Sequence, residues 1–347
     1  MKHAWRRADA VLIAGLAAVL LAACGSSVPT QSPQPTNSPV PSASATPDLT
    51  AAASLVPIPT PVPTAAPTPT PDLSDLTKRP FTVLILGWDL DHRTDSMIVA
   101  GIDPTKGHIT FASLPRDTID VPLPTGGIYK NLKVNDFYND AEADPGNYPK
   151  GPGRATADMM QLVTGVRIEY YAVTSFDGFK NLVNAMGGVN VNVPSLVVDP
   201  NYQITTTNVG IRFDPGPQVM NGDRAIIYAR TRQGDSDFQR SRRQQVILAS
   251  AGKQVAAHPE LLLPLVGAAA NLKTDFPLGQ LPGLLATMMA APDRTFDMGT
   301  VFSPVQSATT IPYSQVVPCP CGYALEPNLP LIKATAAQLF PWAVITP

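Results

Sequence analysis

The stretch Phe81-Thr82-Val83-Leu84-Ile85-Leu86-Gly87-Trp88-Asp89 decides the fold. Apart from Thr82, the run from Phe81 to Leu86 is apolar, and Gly87 ends it. A short apolar run without polar alternation reads as a strand buried on both faces. Outward from it, Ser96–Ile102 and His108–Ser113 read as two more strands, joined by the turn sequence Asp103-Pro104-Thr105-Lys106-Gly107. Ala155–Leu162 reads as a helix, Tyr170–Val173 as a strand, and Phe176–Met186 as an amphipathic helix stopped by Gly187-Gly188. Val189–Val193 alternates like a half-buried strand. Helices are expected over Asp223–Ala229, Phe238–Ala257, Leu261–Leu272, Leu278–Ala290 and Leu331–Phe340, and a strand over Phe296–Val301. Strands alternating with helices predict an α/β fold whose sheet is covered on both faces.

Upstream of this region the composition changes. The 347-residue chain has 25 basic and 27 acidic side chains, so its near-neutral balance speaks against a nucleic-acid binder. Lys2, Arg6 and Arg7 precede an uncharged, mostly apolar run, Ala10–Ala23, which is too short to span a membrane and reads as a signal peptide. The run ends in Leu21-Ala22-Ala23-Cys24-Gly25, which resembles a bacterial lipoprotein box; an ordinary secretory signal is the alternative. Lipidation at Cys24 would anchor the protein outside the cell membrane. Thirteen of the 38 prolines fall within residues 25–79, and a stretch this rich in Pro, Thr and Ser cannot build a core. The expected organisation is therefore a signal at 1–24, a tether at 25–79 and one domain at 80–347.

Three polar clusters lie at the ends of expected elements. In the first, Asp89 follows one strand and Asp95 precedes the next. Two carboxylates at such a corner suit Mg²⁺, which takes one or two carboxylates plus substrate phosphates; loop-capping aspartates are the other reading. In the second, Ser113-Leu114-Pro115-Arg116-Asp117-Thr118, a guanidinium can reach the same corner, or can form a surface ion pair. The third holds six of the chain's 15 arginines, between Arg224 and Arg243, with no lysine among them. Arginine suits bidentate phosphate recognition better than lysine. Arg230 and Arg232, two apart, would point the same way from an extended segment. Asp237 can cap the next helix, on which Arg240, Arg243 and Gln244 form one stripe. Together the clusters suit a diphosphate bridged by a metal. The four histidines have no zinc spacing, and no function follows for Cys319-Pro320-Cys321.

Several of these stretches, in order, resemble the LytR-CpsA-Psr family of cell-wall glycopolymer ligases. They are Ile85-Leu86-Gly87-Trp88-Asp89, Arg93-Thr94-Asp95-Ser96, Ser113 through Thr118, Lys133-Val134-Asn135, Phe176-Asp177-Gly178-Phe179 with Met186-Gly187-Gly188-Val189, Asn221-Gly222 through Arg232, and Asp237 through Gln245. The resemblance covers most of residues 80–255. It implies a single αβα domain with a mixed central sheet. It also implies an enzyme, a phosphotransferase that moves a glycopolymer phosphate from a polyprenyl-diphosphate carrier to peptidoglycan, at the 6-OH of N-acetylmuramic acid. By the same resemblance Asp89 and Asp95 hold Mg²⁺. Arg116, Lys133, Arg230, Arg232, Arg240 and Gln244 bind the diphosphate, and Asp237 orients the arginines. Asp89, Asp95, Arg116 and Asp237 would be the catalytic set. The partners implied are the lipid-linked glycan donor, the peptidoglycan acceptor and the membrane. A polyprenyl-diphosphate hydrolase and a non-catalytic binder of lipid-linked glycans are the alternative functions. The chain departs from the family in having Asp136-Phe137-Tyr138-Asn139 where a glycine pair is expected after Lys133-Val134-Asn135.

Overall fold

A computed structural model describes residues 75–89, 93–205, 209–231, 237–268, 272–291, 295–297, 313–319 and 322–345. The expected signal, Cys24, almost all of the expected tether, and Arg232 lie outside the described residues.

In chain order the first strands are β1 (Phe81–Trp88), β2 (Thr94–Asp103), β3 (His108–Leu114), β4 (Ile119–Pro122), β5 (Ile128–Lys133) and β6 (Tyr170–Ser175). Next come β7 (Val189–Val193), β8 (Val197–Gln203), β9 (Val209–Phe213) and β10 (Gly216–Met220). The last four are β11 (Lys273–Thr274), β12 (Thr295–Asp297), β13 (Tyr313–Cys319) and β14 (Gly322–Pro327). The helices are α1 (Phe137–Ala143), α2 (Pro152–Thr164), α3 (Phe176–Ala185) and α4 (Gly222–Arg230), then α5 (Asp237–Ala257), α6 (Leu262–Ala268), α7 (Leu281–Ala290) and α8 (Leu329–Leu339).

The central sheet has six strands in the order β11-β6-β1-β2-β3-β12. β1 and β2 are antiparallel, as are β2 and β3, while β6 runs parallel to β1 and β12 parallel to β3. The sheet is therefore mixed, and helices cover both faces. Alternation along β1 shows why the run carries no polar residues. Phe81, Val83 and Ile85 join one core, with Leu182 of α3, Tyr228 of α4 and Ile247 of α5. Leu84 and Leu86 join the other, with Phe137 of α1, Met159 of α2 and Ile332 of α8. Each such fully buried side chain contributes about 1.5–3 kcal/mol.

The structure corrects several boundaries. The expected helix over Leu261–Leu272 is a 3₁₀ turn, Pro259–Leu261, followed by α6. Pro259, Pro264 and Gly267 interrupt what apolar spacing alone made continuous. The expected helix over Leu278–Ala290 likewise begins as a 3₁₀ turn, with α7 starting at Leu281 ahead of Pro282. Of the strand expected over Phe296–Val301, only Thr295–Asp297 is described. The two-stranded pairs β4–β5, β8–β9 and β13–β14 were not expected. β4 is only four residues long, and most residues of β5, β8 and β9 are exposed or half-buried, so apolar patterning marks them weakly.

Candidate active site

The site lies where β1, β2 and β3 meet the helices. Across the register of β1 and β2, Gly87 pairs with Ser96 and Trp88 with Thr94, which leaves Asp95 as the extra residue of a β-bulge. A bulge re-aims a side chain that regular pleating would direct elsewhere. Gly87 permits the close approach: a Cβ there would lie 2.4 Å from the Ser96 hydroxyl oxygen. The turn out of β1 closes on itself, because Asp89 N donates to Arg93 O at 2.9 Å and Arg93 N to Asp89 Oδ1 at 2.9 Å.

Asp95, only 9% exposed, collects the arginines. Arg116, from the turn after β3, donates to Asp95 Oδ1, and Arg230 Nε lies 3.8 Å from Oδ2. Behind Arg116 stands Asp117, with Arg116 Nε at 3.8 Å and Lys133 Nζ at 2.7 Å. Lys133 thus supports the Arg116 turn through Asp117. Asn135 ties the same turn to β2: its N–H donates to Arg116 O and its carbonyl accepts from Thr94 N, at 3.3 and 2.9 Å.

Asp95, Arg116, Arg230 and Arg240 wall one polar pocket, together with Tyr202 and Gln203 of β8. Three guanidiniums face one carboxylate, so the pocket favours an anion. Burial raises the Tyr202 pKa, Arg230 opposes this, and Asp199 and Asp95 add to it, so the phenol stays a protonated donor across the physiological range. Tyr202 was not foreseen, because nothing in Val197–Gln203 signals chemistry before the end of β8 comes to line the pocket.

Beneath this pocket runs an apolar cavity between the sheet and α3, α4 and α5. Ile98, Phe179, Leu182, Val183, Met186 and Ile247 line it. Asp95 and Arg230 line the cavity as well as the polar pocket.

The α5 stripe divides among these surroundings. Arg240, 2% exposed, faces the polar pocket, whereas Gln244 lines the apolar cavity and its Nε2 lies 3.3 Å from Ala229 O. Arg243 turns back to the end of α4 and donates to the carbonyls of Tyr228, at 2.9 Å, and Thr231. Thr231 Oγ1 in turn donates to the buried Asp199 at 2.7 Å. Arg230 is the last residue of α4, not part of an extended segment, and Thr231 leaves the helix at φ −56°, ψ 142°. An extended pairing with Arg232 therefore does not describe Arg230, since the helix continues one residue past the expected end. α5 begins at Asp237 itself, so that residue is the first of the helix rather than the residue preceding it. Arg242 faces a separate cleft with Gln239, Leu196 and Val198.

Among the described residues no three His, Cys, Asp or Glu side chains cluster to hold a metal on their own. Asp89 and Asp95 stand on either side of the connection between β1 and β2. A carboxylate is the hard oxygen donor that a cation such as Mg²⁺ takes beside phosphate and water.

Comparison with known proteins agrees with this architecture. The chain is 32% identical over 186 residues to the polyisoprenyl-teichoic acid–peptidoglycan teichoic acid transferase TagV of Bacillus subtilis, covering 51% of this chain and 44% of TagV. It is 31% identical over 212 residues to the similarly named TagU of Halalkalibacterium halodurans, covering 57% of this chain and 62% of TagU. The matched part thus spans about half the length of these relatives. The crystal structure of B. subtilis TagV superposes with a TM-score of 0.57 at 25% identity, covering 78% of this chain and 99% of that one. Residues 59–307 match the LytR_cpsA_psr family profile, and the chain belongs to that family.

Proposed function

We propose that this protein transfers a glycopolymer phosphate from a polyprenyl-diphosphate carrier to peptidoglycan, in cell-envelope assembly. The observation that carries the reading is the shared wall: Asp95 and Arg230 border both the apolar cavity and the arginine-lined pocket. A ligand that fills both is an apolar chain ending in a compact anion, which is the chemistry of polyprenyl diphosphate. The names of the similar transferases point to the same class of donor and acceptor.

In this reading the carrier chain enters between the sheet and α3, α4 and α5. The diphosphate lies against Arg116, Arg230 and Arg240, and Arg232 joins them on sequence grounds. A hydroxyl of the acceptor glycan attacks the phosphorus that bears the polymer. The new P–O bond forms as the bond to the bridging oxygen breaks, and polyprenyl phosphate leaves. Asp89 and Asp95 are the carboxylates at this corner that can take the hydroxyl proton. The arginines balance the charge that spreads over the phosphoryl oxygens. Asp89 and Asp95 would hold Mg²⁺, which when bound adds Lewis-acid stabilisation of the same charge. Gln244 and Arg243 fix the end of α4 from which Arg230 reaches the pocket. Lipidation at Cys24 would keep the domain at the outer face of the membrane; among the described residues no helix is long and apolar enough to cross one.

The test is reconstitution with a polyprenyl-diphosphate-linked glycan, peptidoglycan and Mg²⁺. Polymer attached to peptidoglycan together with polyprenyl monophosphate is the expected product pair, and Asp95→Asn is expected to abolish it. Free glycan phosphate formed with water as acceptor would instead establish the hydrolase. Undiminished turnover in chelator would remove the metal from the mechanism.

A further inference from the structure

Arg230 stands at the boundary between the two compartments, and its guanidinium is not held by charge alone. Its Cζ sits 4.3 Å from the centroid of the Phe176 ring, and its Nε lies 3.8 Å from Asp95. Its side chain is 42% exposed, and the long ion pair and a hydrogen bond with Tyr202 would by themselves leave the guanidinium several rotamers. Phe176 lines only the apolar cavity, whereas Arg230 lines both the cavity and the polar pocket. Phe176 is also the first residue of α3, and the Ser175 hydroxyl caps that helix by accepting from Gly178 N at 3.1 Å. The cap fixes the backbone from which the ring projects. Phe179, three residues on, lines the same cavity.

Building on the lipid-donor reading above, we propose that Phe176 is a specificity-determining positioning residue that couples the two compartments. An apolar chain in the cavity packs against the Phe176 ring, and the ring holds Arg230 in the orientation that meets the diphosphate. A stack of this kind gains strength as water is excluded from it. Filling the cavity therefore strengthens the hold on Arg230, and an anion on Arg230 favours a filled cavity by the same factor, because coupling between sites is reciprocal. The protein then discriminates lipid-linked diphosphates from soluble ones without a dedicated contact to the junction. A soluble diphosphate meets an Arg230 that is ordered only in part.

The coupling can be measured by splitting the ligand. Geranylgeraniol serves as the uncharged chain and inorganic pyrophosphate as the anion, each titrated calorimetrically into the full chain with and without the other. Wild type is expected to bind pyrophosphate about five- to tenfold more tightly when geranylgeraniol is present. Phe176→Ala is expected to bring that ratio close to one, and Phe176→Tyr or Phe176→Trp to retain it, with melting curves showing that all variants fold. The Ala variant should also raise KM for the lipid-linked donor more than it lowers kcat. Geranylgeraniol binding that leaves pyrophosphate affinity unchanged in wild type would overturn the proposal. An undiminished ratio in Phe176→Ala would do the same. Failure of wild type to bind geranylgeraniol at all would remove the lipid-donor reading itself, a different outcome from binding without coupling.

Discussion

Arg240 and Arg242 are two residues apart on α5 and meet different surroundings. Each residue turns the helix by about 100°, so the two side chains lie about 200° apart. Arg240 walls the polar pocket with Asp95 and Arg116, and Arg242 walls the cleft beside Leu196. With a diphosphate bound as proposed, Arg240→Ala is expected to remove a charge-assisted bond of about 1.5–3 kcal/mol, a rate loss of about 10- to 150-fold. Arg242→Ala is expected to cost about 0–1 kcal/mol. Transfer assays with melting curves for both variants check this, and equal losses would refute the division of the helix. Tyr202 carries a second expectation at this scale. Because its phenol stays protonated, Tyr202→Phe should lower transfer about tenfold with no shift in the pH profile, as loss of one hydrogen bond to a charged group implies. A changed pH profile would show that the phenol titrates in the reaction. Arg116 and Arg240 were legible in the sequence as residue types in motifs. Tyr202 and Asp199 were not, because their roles arise only when β8 packs beside α4 and the pocket.

At the scale of elements, the β2–β3 turn shows how local chemistry fixes register. Burial works against the charge of Asp103, but hydrogen bonds from Thr105 and Lys106 and the Lys106 ammonium outweigh it, so its pKa falls below 3.8. The distances are 2.7 Å from Thr105 Oγ1, 3.3 Å from Lys106 N and 3.2 Å to Lys106 Nζ. A depressed carboxylate pKa stabilises the fold above the unfolded value and loses that contribution as pH falls through the folded one. Wild type is therefore expected to melt above Asp103→Asn at neutral pH, with the gap closing as pH drops below 3.8. A gap independent of pH would show that the charge of Asp103 plays no part. The helices obey a different constraint. α4 approaches α3 closely enough that a Cβ on Gly222 would lie 2.5 Å from Lys180 O. That contact is between residues about 40 apart, and only the packed pair reveals why Asn221-Gly222 opens α4 as it does.

For the molecule as a whole, the proposed anchoring rests on Cys24 and the proline-rich stretch after it. If the thiol there is lipidated, Cys24→Ala should move the protein from the membrane fraction to the soluble fraction or leave its signal uncleaved. Fractionation combined with the mass of the mature chain checks this, and unchanged behaviour would remove the anchor. The sequence by itself determined the class of the fold, since the runs around Leu84 and Val99 lack polar alternation and only a sheet covered on both faces buries them so fully. It also determined which residue types carry charge to one corner, because strand and helix ends in an α/β sheet return to the same side. Only the tertiary structure decided how those charges are used. The bulge that turns Asp95 toward Arg116, the return of Arg243 to the carbonyls at the end of α4 and the stacking of Arg230 on Phe176 are contacts between residues 12 or more apart, or register irregularities within a sheet. Periodicity along a chain reports which face a residue occupies. What lies opposite that face depends on how the other elements pack, and no local pattern records it.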